Sequence, residues 1–485
     1  MINLINSNTF NKNSLFKTDI LIIGSGINCL SFIDFFHSLN KTNLKSKITI
    51  IEKGETNKDL QKKNRNELSF STNNEAIIND GFLKFDEKGM NQSVGGNSLF
   101  WGGRFAKLDK EDFLQRDWLE GDKQWPIDFN EYNNVITKVF NYYEVNNLSK
   151  FDLYNQFSNK HLISSKNLEN KIFQIKYINF YEHLSKKIKN QNEVDIYFNA
   201  ELDSFNFDNQ KISYLTIKNK NSETFKIKAK TIILSAGVIG NIKNLLKQKI
   251  KSNLIDSKKI IGKFIMNHPG GRILDLQIKN KPFSSMYFGS NFLFSSYRYG
   301  LKGSLDFQKQ NSLTNSLLLF QPFCHINKSN LKDFPSWIKR KFFGSFDKKI
   351  IVNLYLEMLP NINNKIHLVN NTLKIDVNID KHAYRNIDFL IRELLKYFSY
   401  EKKLINQIID NIYSKNNFQD TYHYMGGTIM GKDKSQSVVD ENLKHHEIDN
   451  LYILGASTFP RSGNANPVAT QLFLSYRLAC HLLKI

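Results

Sequence analysis

The chain has 485 residues, 41% of them hydrophobic, enough for more than one sizeable core and beyond the usual single-domain range. Its formal charge of +21 would ordinarily point to nucleic acid or an anionic membrane. The lysines are instead spread along the whole chain amid Asn, Ile and Phe, so nucleic-acid binding is not expected, although the field would favour anionic substrates.

Residues 1–18 lack a basic start followed by an apolar run, so no secretory leader is expected. No apolar stretch approaches the ~18 residues that span a bilayer, and a cytoplasmic protein is the expectation. Three cysteines without paired spacing, Cys29, Cys324 and Cys480, argue against a disulfide framework or a metal site. Asp19–Ile23 is a short β-rich run followed at once by Gly24-Ser25-Gly26, after which Leu30, Ile33 and Phe36 recur at helical spacing. Strand, Gly-rich turn and helix together predict a dinucleotide site. The first Gly allows the tight turn, the second lets backbone approach the pyrophosphate, and the helix N-terminus faces the phosphates. The third fingerprint position is Cys29, not Gly or Ala, which predicts a slightly looser helix–strand contact. Lys47–Ile51 predicts a second strand, and Glu52 at its end falls 26 positions after Gly26, near the ~20 expected of a ribose-binding carboxylate. This fingerprint fits FAD and NAD equally.

Glu55–Asp80 is polar and rich in Asn and Lys, and reads as a loop or a weakly ordered excursion. Ser93–Arg104 then brackets Trp101 between two glycine pairs, Gly95-Gly96 and Gly102-Gly103, with Asn97 after the first; the pattern predicts backbone pressed against a flat ligand. Trp125-Pro126-Ile127 leads into an aromatic-rich helix containing Tyr132, Val135, Val139, Phe140 and Tyr143. Asp195–Lys228 alternates apolar and polar residues, a β-meander with turns at Asp208-Asn209 and Asn219–Asn221. Thr231–Leu234 predicts a buried strand, Ala236-Gly237 a turn, and Asn241–Lys247 a helix. His268 precedes a proline, so its backbone is extended, and it reads as structural. Between strands expected near Leu317–Phe320 and Ile351–Leu356 lies an unusual insertion, Leu331–Lys349. There Phe334, Ile338, Phe342 and Phe346 fall at four-residue spacing beside Trp337 and clustered Lys and Arg. That pattern suits an amphipathic helix packed on its own domain, or one that meets an anionic membrane surface. His445 and His446 are adjacent and point different ways, so they form no metal pair, and no metal is expected.

The last stretch holds His423 on a Gly-rich loop, His423-Tyr424-Met425-Gly426-Gly427. Leu451–Leu454 is a short buried strand stopped by Gly455-Ala456, and Asn466-Pro467 opens a helix carrying Leu472, Leu474, Leu478 and Leu482. One His and one Asn are thus presented from separate turns, the Asn at a helix N-terminus that suits an electron-rich ligand. These pieces in this order, with the Gly24–Gly26 turn and the Ser93–Arg104 segment, resemble the glucose–methanol–choline (GMC) oxidoreductases. The C-terminal motif resembles the cholesterol oxidase and pyranose oxidase members most.

The resemblance implies an α/β (α+β) fold: a Rossmann-like FAD-binding domain assembled from 1–110, 195–275 and 416–485, with an inserted sheet-and-helix substrate-binding domain from 111–194 and 276–415. It implies FAD held by Gly24, Gly26, Glu52, Gly95, Gly96, Asn97, Trp101, Gly102, Gly103, Ala236, Gly237, Gly455, Ala456 and Pro467. Binding would be non-covalent, because Phe100 stands where some relatives carry a flavin-bonded His. It implies oxidation of an alcohol CH–OH group, of a sugar or polyol, with His423 as base and Asn466 as donor to the developing alkoxide. Some family members act as lyases, so a non-oxidising or accessory flavoprotein is the alternative. The electron acceptor stays open between oxygen, a quinone and a protein.

Overall fold

The computed structural model describes residues 2–9, 14–41, 45–56, 77–79, 91–145, 162–188, 194–249, 255, 259–279, 283–288, 290–292, 295–323, 349–415 and 418–485. The Leu331–Lys349 insertion therefore lies outside the described residues except for Lys349, as do Cys324 and most of Glu55–Asp80.

Continuous apolar runs such as Ile20–Ile23 and Ile48–Ile51 are buried throughout, the condition of parallel strands covered on both faces. They form the ends of β2 (Leu15–Ile23) and all of β3 (Ile48–Ile51). The first sheet runs β1 (Ile2–Asn6), β7 (Val194–Phe198), β3, β2, β10 (Thr224–Leu234), β9 (Lys211–Asn219), β8 (Ala200–Asp208). From β1 to β10 neighbours are parallel; β9 and β8 join antiparallel as the expected meander. A further strand, β18 (Leu451–Ile453), pairs in parallel with the last three residues of β10. Strand β1 was not foreseen, because its alternation is short and only half-buried.

Helix α1 (Ile27–Leu39) leaves the first βα turn and packs against α8 (Val468–Leu483), to which it is joined by Asn28 Nδ2 donating to Gln471 Oε1 at 2.8 Å and by Ser31 Oγ to Ser475 Oγ at 3.0 Å. Cys29 is fully buried there. The aromatic-rich segment forms α2 (Phe129–Tyr142), capped by Asp128 and buried against the same core through Tyr132, Ile136, Val139 and Phe140. Helix α3 (Phe180–Lys187) also packs on α1, and α4 (Gly237–Lys249) follows β10 directly.

The second sheet is antiparallel, in the order β11 (Gly270–Gln277), β15 (Lys349–Tyr355), β14 (Leu317–Pro322), β13 (Ser295–Gly303), β6 (Leu168–Ile175), β5 (Arg104–Phe105), with β12 (Ser290–Phe292) on β13. Helix α5 (Leu305–Asn311) follows β13. One face of the sheet, with Leu318, Phe320, Val352 and Leu354, is covered by α6 (Lys381–Tyr397) and α7 (Lys402–Lys415) through Leu390, Ile391, Leu394, Ile405 and Ile409. The apolar residues of α6 recur every three or four positions, and Asp380 caps it by accepting from Ala383 N at 2.8 Å. The opposite face gives Phe173, Leu317 and Leu319 to the first core. A third, small sheet joins β16 (Lys365–Val369), β17 (Thr372–Asp376) and β4 (Ile77–Asn79); the last lies inside the stretch expected to be loop. Individual strands cross between the two cores within the expected domain segments. β5 and β11 sit in the second sheet, and β16 and β17 bury Ile366, Leu373 and Ile375 in the first core.

Candidate active site

The carboxyl ends of β2, β3, β10 and β18 open on Gly24, Glu52, Ser235 and Leu454-Gly455, the edge where open α/β sheets bind ligands. The turns after β2 and β10 touch: a Cβ on Gly24 would lie 2.6 Å from both Ala236 Cα and Ser235 O, so only glycine fits. A Cβ on Gly26 or on Gly237 would meet nothing within 4 Å, and α1 starts at Gly26 without a side-chain cap. Room is thus left beside the positive end of α1. Glu52 Oε2 accepts from Ser25 N at 3.0 Å and Ser25 Oγ at 2.6 Å, while its Oε1 accepts from Gly54 N at 2.8 Å. Burial raises the pKa of this carboxyl group.

Of the second Gly-rich segment, Gly95 and Gly96 come to the dinucleotide turn. Gly95 N donates to Ser25 Oγ at 3.1 Å, and a Cβ on Gly96 would sit 3.2 Å from Gly26 Cα. Asn97 is exposed and its Oδ1 accepts from Asn91 N at 2.7 Å. Trp101 donates its indole N–H to Ile178 O at 3.0 Å and packs on Phe105 and Phe180, with centroids 5.1 and 5.7 Å away, which makes it an anchor of the loop. Gly102 is exposed, and Gly103 presses on the Lys176 backbone, 2.9 Å from where its Cβ would be. Two buried polar atoms at the edge, Asn28 Oδ1 and Ser235 Oγ, have no hydrogen-bond partner among the described residues. An open helix end, an acid one strand away and orphaned polar atoms are what the dinucleotide half of FAD requires, and the residues present fit it.

The His423 loop is stitched to the turn after β18. Gly426 N donates to Ala456 O at 3.0 Å, Thr428 N to Ser457 O at 2.9 Å and Met430 N to Thr458 O at 2.8 Å. Gly426 has φ +81°, and a Cβ there would lie 2.1 Å from Phe264 O, so the second half of the His-x-x-Gly motif is a packing requirement. Pro467 precedes α8 with φ −68°, which sets Asn466 at the mouth of the helix.

The two loops bring Asn466 Nδ2 to 3.0 Å from His423 Nε2. With Nε2 accepting from the amide, the proton of the neutral ring sits on Nδ1, 3.3 Å from Thr421 Oγ1. Thr421 Oγ1 in turn donates to His268 O at 2.7 Å, so ring, hydroxyl and carbonyl form one chain that fixes the tautomer. The His268 ring stands edge-on to that of His423, centroids 5.5 Å apart, and its Nε2 meets Gly463 O at 2.8 Å. Burial, His268 and the Arg104 cation hold His423 down at about 3, and burial holds His268 at about 4, so both rings are neutral at ordinary pH.

The residues that position Asn466 were not legible in the sequence. Arg461, Ser462, Gly463 and Asn464 are buried in a web of charges at the junction of the two cores. Arg461 pairs with Asp122 and donates to Asp112 O at 2.6 Å and Leu114 O at 3.0 Å. Arg116 joins Asp122 to Glu357, and Glu357 Oε1 accepts from Gly463 N at 3.2 Å. Asn464 Nδ2 donates to Asp109 Oδ2 at 3.2 Å and to Asn315 Oδ1 at 2.9 Å, while Asn464 Oδ1 accepts from Lys171. The one available signal was Arg461-Ser462-Gly463-Asn464 itself, polar residues between a buried strand and a buried helix.

Among the described residues no group of three or more His, Cys, Asp or Glu could hold a metal, and no helix is long and apolar enough to cross a membrane. The family model described as GMC oxidoreductase matches residues 381–475. Over 66 residues the chain is 41% identical to the fructose dehydrogenase large subunit of Gluconobacter japonicus, covering 14% of this chain and 12% of that one. Over 56 residues it is 38% identical to the gluconate 2-dehydrogenase flavoprotein of Pantoea cypripedii, covering 12% and 9%. The matched stretches therefore span about a tenth of these curated relatives. Pyridoxine 4-oxidase from Mesorbium loti superimposes with a TM-score of 0.59 at 13% identity, over 96% of this chain and 99% of that one. An Aspergillus oryzae formate oxidase studied for FAD modification superimposes with a TM-score of 0.60 at 14% identity, over 98% and 99%. Residues 381–475 thus match the GMC oxidoreductase family model, and the chain shares a mixed α/β fold with a Rossmann-like half with these two oxidases over nearly its whole length.

Proposed function

We propose that the chain is an FAD-dependent oxidoreductase that converts an alcohol CH–OH group, of a sugar or polyol, to a carbonyl. The observation that carries this reading is the 3.0 Å contact between His423 Nε2 and Asn466 Nδ2, two polar groups from separate loops aimed at one point. The family match and the names of the relatives support it. FAD, held by Gly24, Gly26, Glu52, Gly95, Gly96, Ala236, Gly237, Gly455, Ala456 and Pro467, would supply the hydride acceptor. A substrate hydroxyl entering between the two side chains gives its proton to Nε2 and takes the amide N–H of Asn466 on its oxygen. Thr421 keeps the Nδ1 proton in place, so Nε2 remains the accepting nitrogen. Because the site disfavours the imidazolium, the proton moves as the C–H electrons leave, when the hydroxyl is most acidic. Phe100 in place of a histidine supports non-covalent FAD, and His423-x-x-Gly426-Gly427 with Asn466-Pro467 supports closeness to the cholesterol oxidase and pyranose oxidase members.

Anaerobic mixing with a panel of sugars, polyols and sterols tests the reading, with flavin absorbance as the readout. Bleaching by at least one alcohol is expected, and re-oxidation with oxygen, a quinone or a protein then identifies the acceptor. His423→Ala should keep FAD while slowing bleaching by roughly 10²–10⁴-fold. Bleaching at the normal rate in that variant would remove His423 from the mechanism.

A further inference from the structure

Five Lys and Arg residues are buried among the described residues: Arg116, Lys171, Arg298, Lys302 and Arg461. Four of them meet carboxylates. Arg116 pairs with Asp122 and Glu357, Lys171 with Asp109, Lys302 with Asp109 and Glu111, and Arg461 with Asp122. Among the described residues the fifth, Arg298, donates only to main-chain carbonyls, Phe320 O at 2.6 Å and Tyr287 O at 3.3 Å. The side chain of half-buried Arg104 has no hydrogen bond and no ion pair among the described residues. Buried cations in proteins are paired, so a buried and a half-buried arginine that share a region without an acid among the described residues leave a counter-charge to be supplied by something else.

The register of the second sheet says where these cations lie. Arg104 on β5 is opposite Ile175 of β6, and Arg298 on β13 is opposite Phe173 of the same strand. Alternation therefore places both arginines on the sheet face that carries Phe173, Leu317 and Leu319 into the first core. Tyr355 belongs to that face through its pairing with Leu317, and its ring reaches the active-site loops: a Cβ on Gly270 would lie 2.5 Å from Tyr355 Cδ1 and 3.1 Å from Thr421 Cγ2. Thr421 is the residue that orients His423. The arginines thus face the His423–Asn466 pair across the junction, whereas the dinucleotide phosphates are provided for at the start of α1.

We propose that Arg104, backed by Arg298, binds a carboxylate on the substrate, so that the alcohol oxidised at His423 belongs to a hydroxy acid. The proposal rests on the oxidation reading above and narrows its substrate class. A planar guanidinium with free N–H groups matches a carboxylate in a bidentate manner, and a neutral polyol would leave the charge unmet. Binding the anion also has a chemical consequence. Arg104 is one of the groups that hold His423 acidic, and an acid bound to it relieves that pressure as substrate arrives. The site would then make its base stronger only when the correct substrate is present.

Matched pairs test this: lactate against 1,2-propanediol, glycerate against glycerol, and gluconate against glucitol. Two readouts are used on the FAD-loaded protein, anaerobic flavin reduction and calorimetric binding. The acid of at least one pair should be preferred over its alcohol, and Arg104→Gln should cut that preference by ~10–10²-fold, with Arg104→Lys restoring part of it. Equal treatment of acid and alcohol in all three pairs overturns the proposal. So does a preference that survives Arg104→Gln within about twofold, or an Arg104→Gln effect confined to flavin content, which would assign the cation to the cofactor. If no compound bleaches flavin but an acid binds in an Arg104-dependent way, the oxidation reading fails and the carboxylate site stands.

Discussion

Acidification separates this site from one built on an ordinary histidine. Burial, His268 and Arg104 hold His423 at about 3. A histidine at the usual ~6.5 would be only ~3% neutral at pH 5, and a step requiring the neutral ring would run about thirtyfold below its plateau. With its pKa at about 3 the ring is ~99% neutral at the same pH, so no such loss arises from it. The profile of kcat/KM for flavin reduction reports the free enzyme and should stay flat from pH 8 to about 5. The kcat profile reports the complex, where an anion on Arg104 would move the acid limb upward. Stability should behave differently over the same window. His268 is buried and held at about 4, below its unfolded value of ~6.5, so its contribution is complete above about pH 6.5 and is lost as pH falls toward 4. At pH 5 that loss is about 2 kcal/mol, readable as a lowered urea midpoint. Stopped-flow reduction and urea titration across pH 5–8 check both limbs. A kcat/KM limb with its midpoint near pH 6.5 would refute the electrostatic account of His423.

Acid precipitation should release yellow flavin to the supernatant; colour that stays in the pellet means a covalent bond. Asp112 is pushed up to about 7 by burial and by Asp109 and Glu357, so Asp112→Asn should leave thermal stability at pH 6 nearly unchanged. Asp109→Asn strips the carboxylate from buried Lys171 and should cost about 3–5 kcal/mol in the same melts, so equal effects of the two substitutions would contradict this network. Gly463 has φ +60°, and a Cβ there would lie 2.6 Å from Leu108 Cδ2 and 2.9 Å from Asp112 Oδ2. Gly463→Ala should therefore cost about 1–2 kcal/mol for the backbone alone and slow flavin reduction by displacing Asn466; an unaltered reduction rate would show that the loop tolerates the shift.

What could be read from the sequence was what local pattern dictates. The apolar runs at Ile20–Ile23, Ile48–Ile51 and Leu451–Leu454, each followed by Gly or Glu, announce parallel strands whose ends form a binding edge, and they lie there. His423 and Asn466 were legible because each sits on a turn with its own signal, Gly426-Gly427 and Pro467, and the structure brings the pair to 3.0 Å. Long-range choices were not legible. Trp101 between glycines suggests a ligand platform, yet its N–H is claimed by Ile178, 77 positions away, which no local pattern could announce. Arg104 looked like one cation among many, because the sequence does not say which lysines and arginines acquire an acid on folding. β4 escaped because three residues in a polar stretch become a strand only when β17 supplies the partner.

The junction shows why a chain would spend buried charge on holding one asparagine. The reaction proposed above would need the His423 and Asn466 loops in fixed relation, because an error of about 1 Å can cost 10²-fold in rate. Apolar packing cannot set that relation here, because the chain from Arg461 to Asn464 has almost no apolar side chain to pack. Directional bonds do it instead. Gly463 alone is held at N by Glu357 and at O by His268, while Arg461 and Asn464 reach the backbone and side chains of residues 109–122. Ion pairs of this kind contribute little net stability, since desolvation offsets most of the attraction, but they admit only one geometry. The lysines of the web come from the second sheet: Lys171 lies on β6, beside the strand that carries Arg104, and Lys302 lies on β13, which carries Arg298. The web that places Asn466 against His423 is therefore built on the same strands as the two arginines that meet no acid among the described residues. In the proposed reaction, proton acceptor, alkoxide donor and carboxylate site would be set by a single rigid junction instead of by three independent loops.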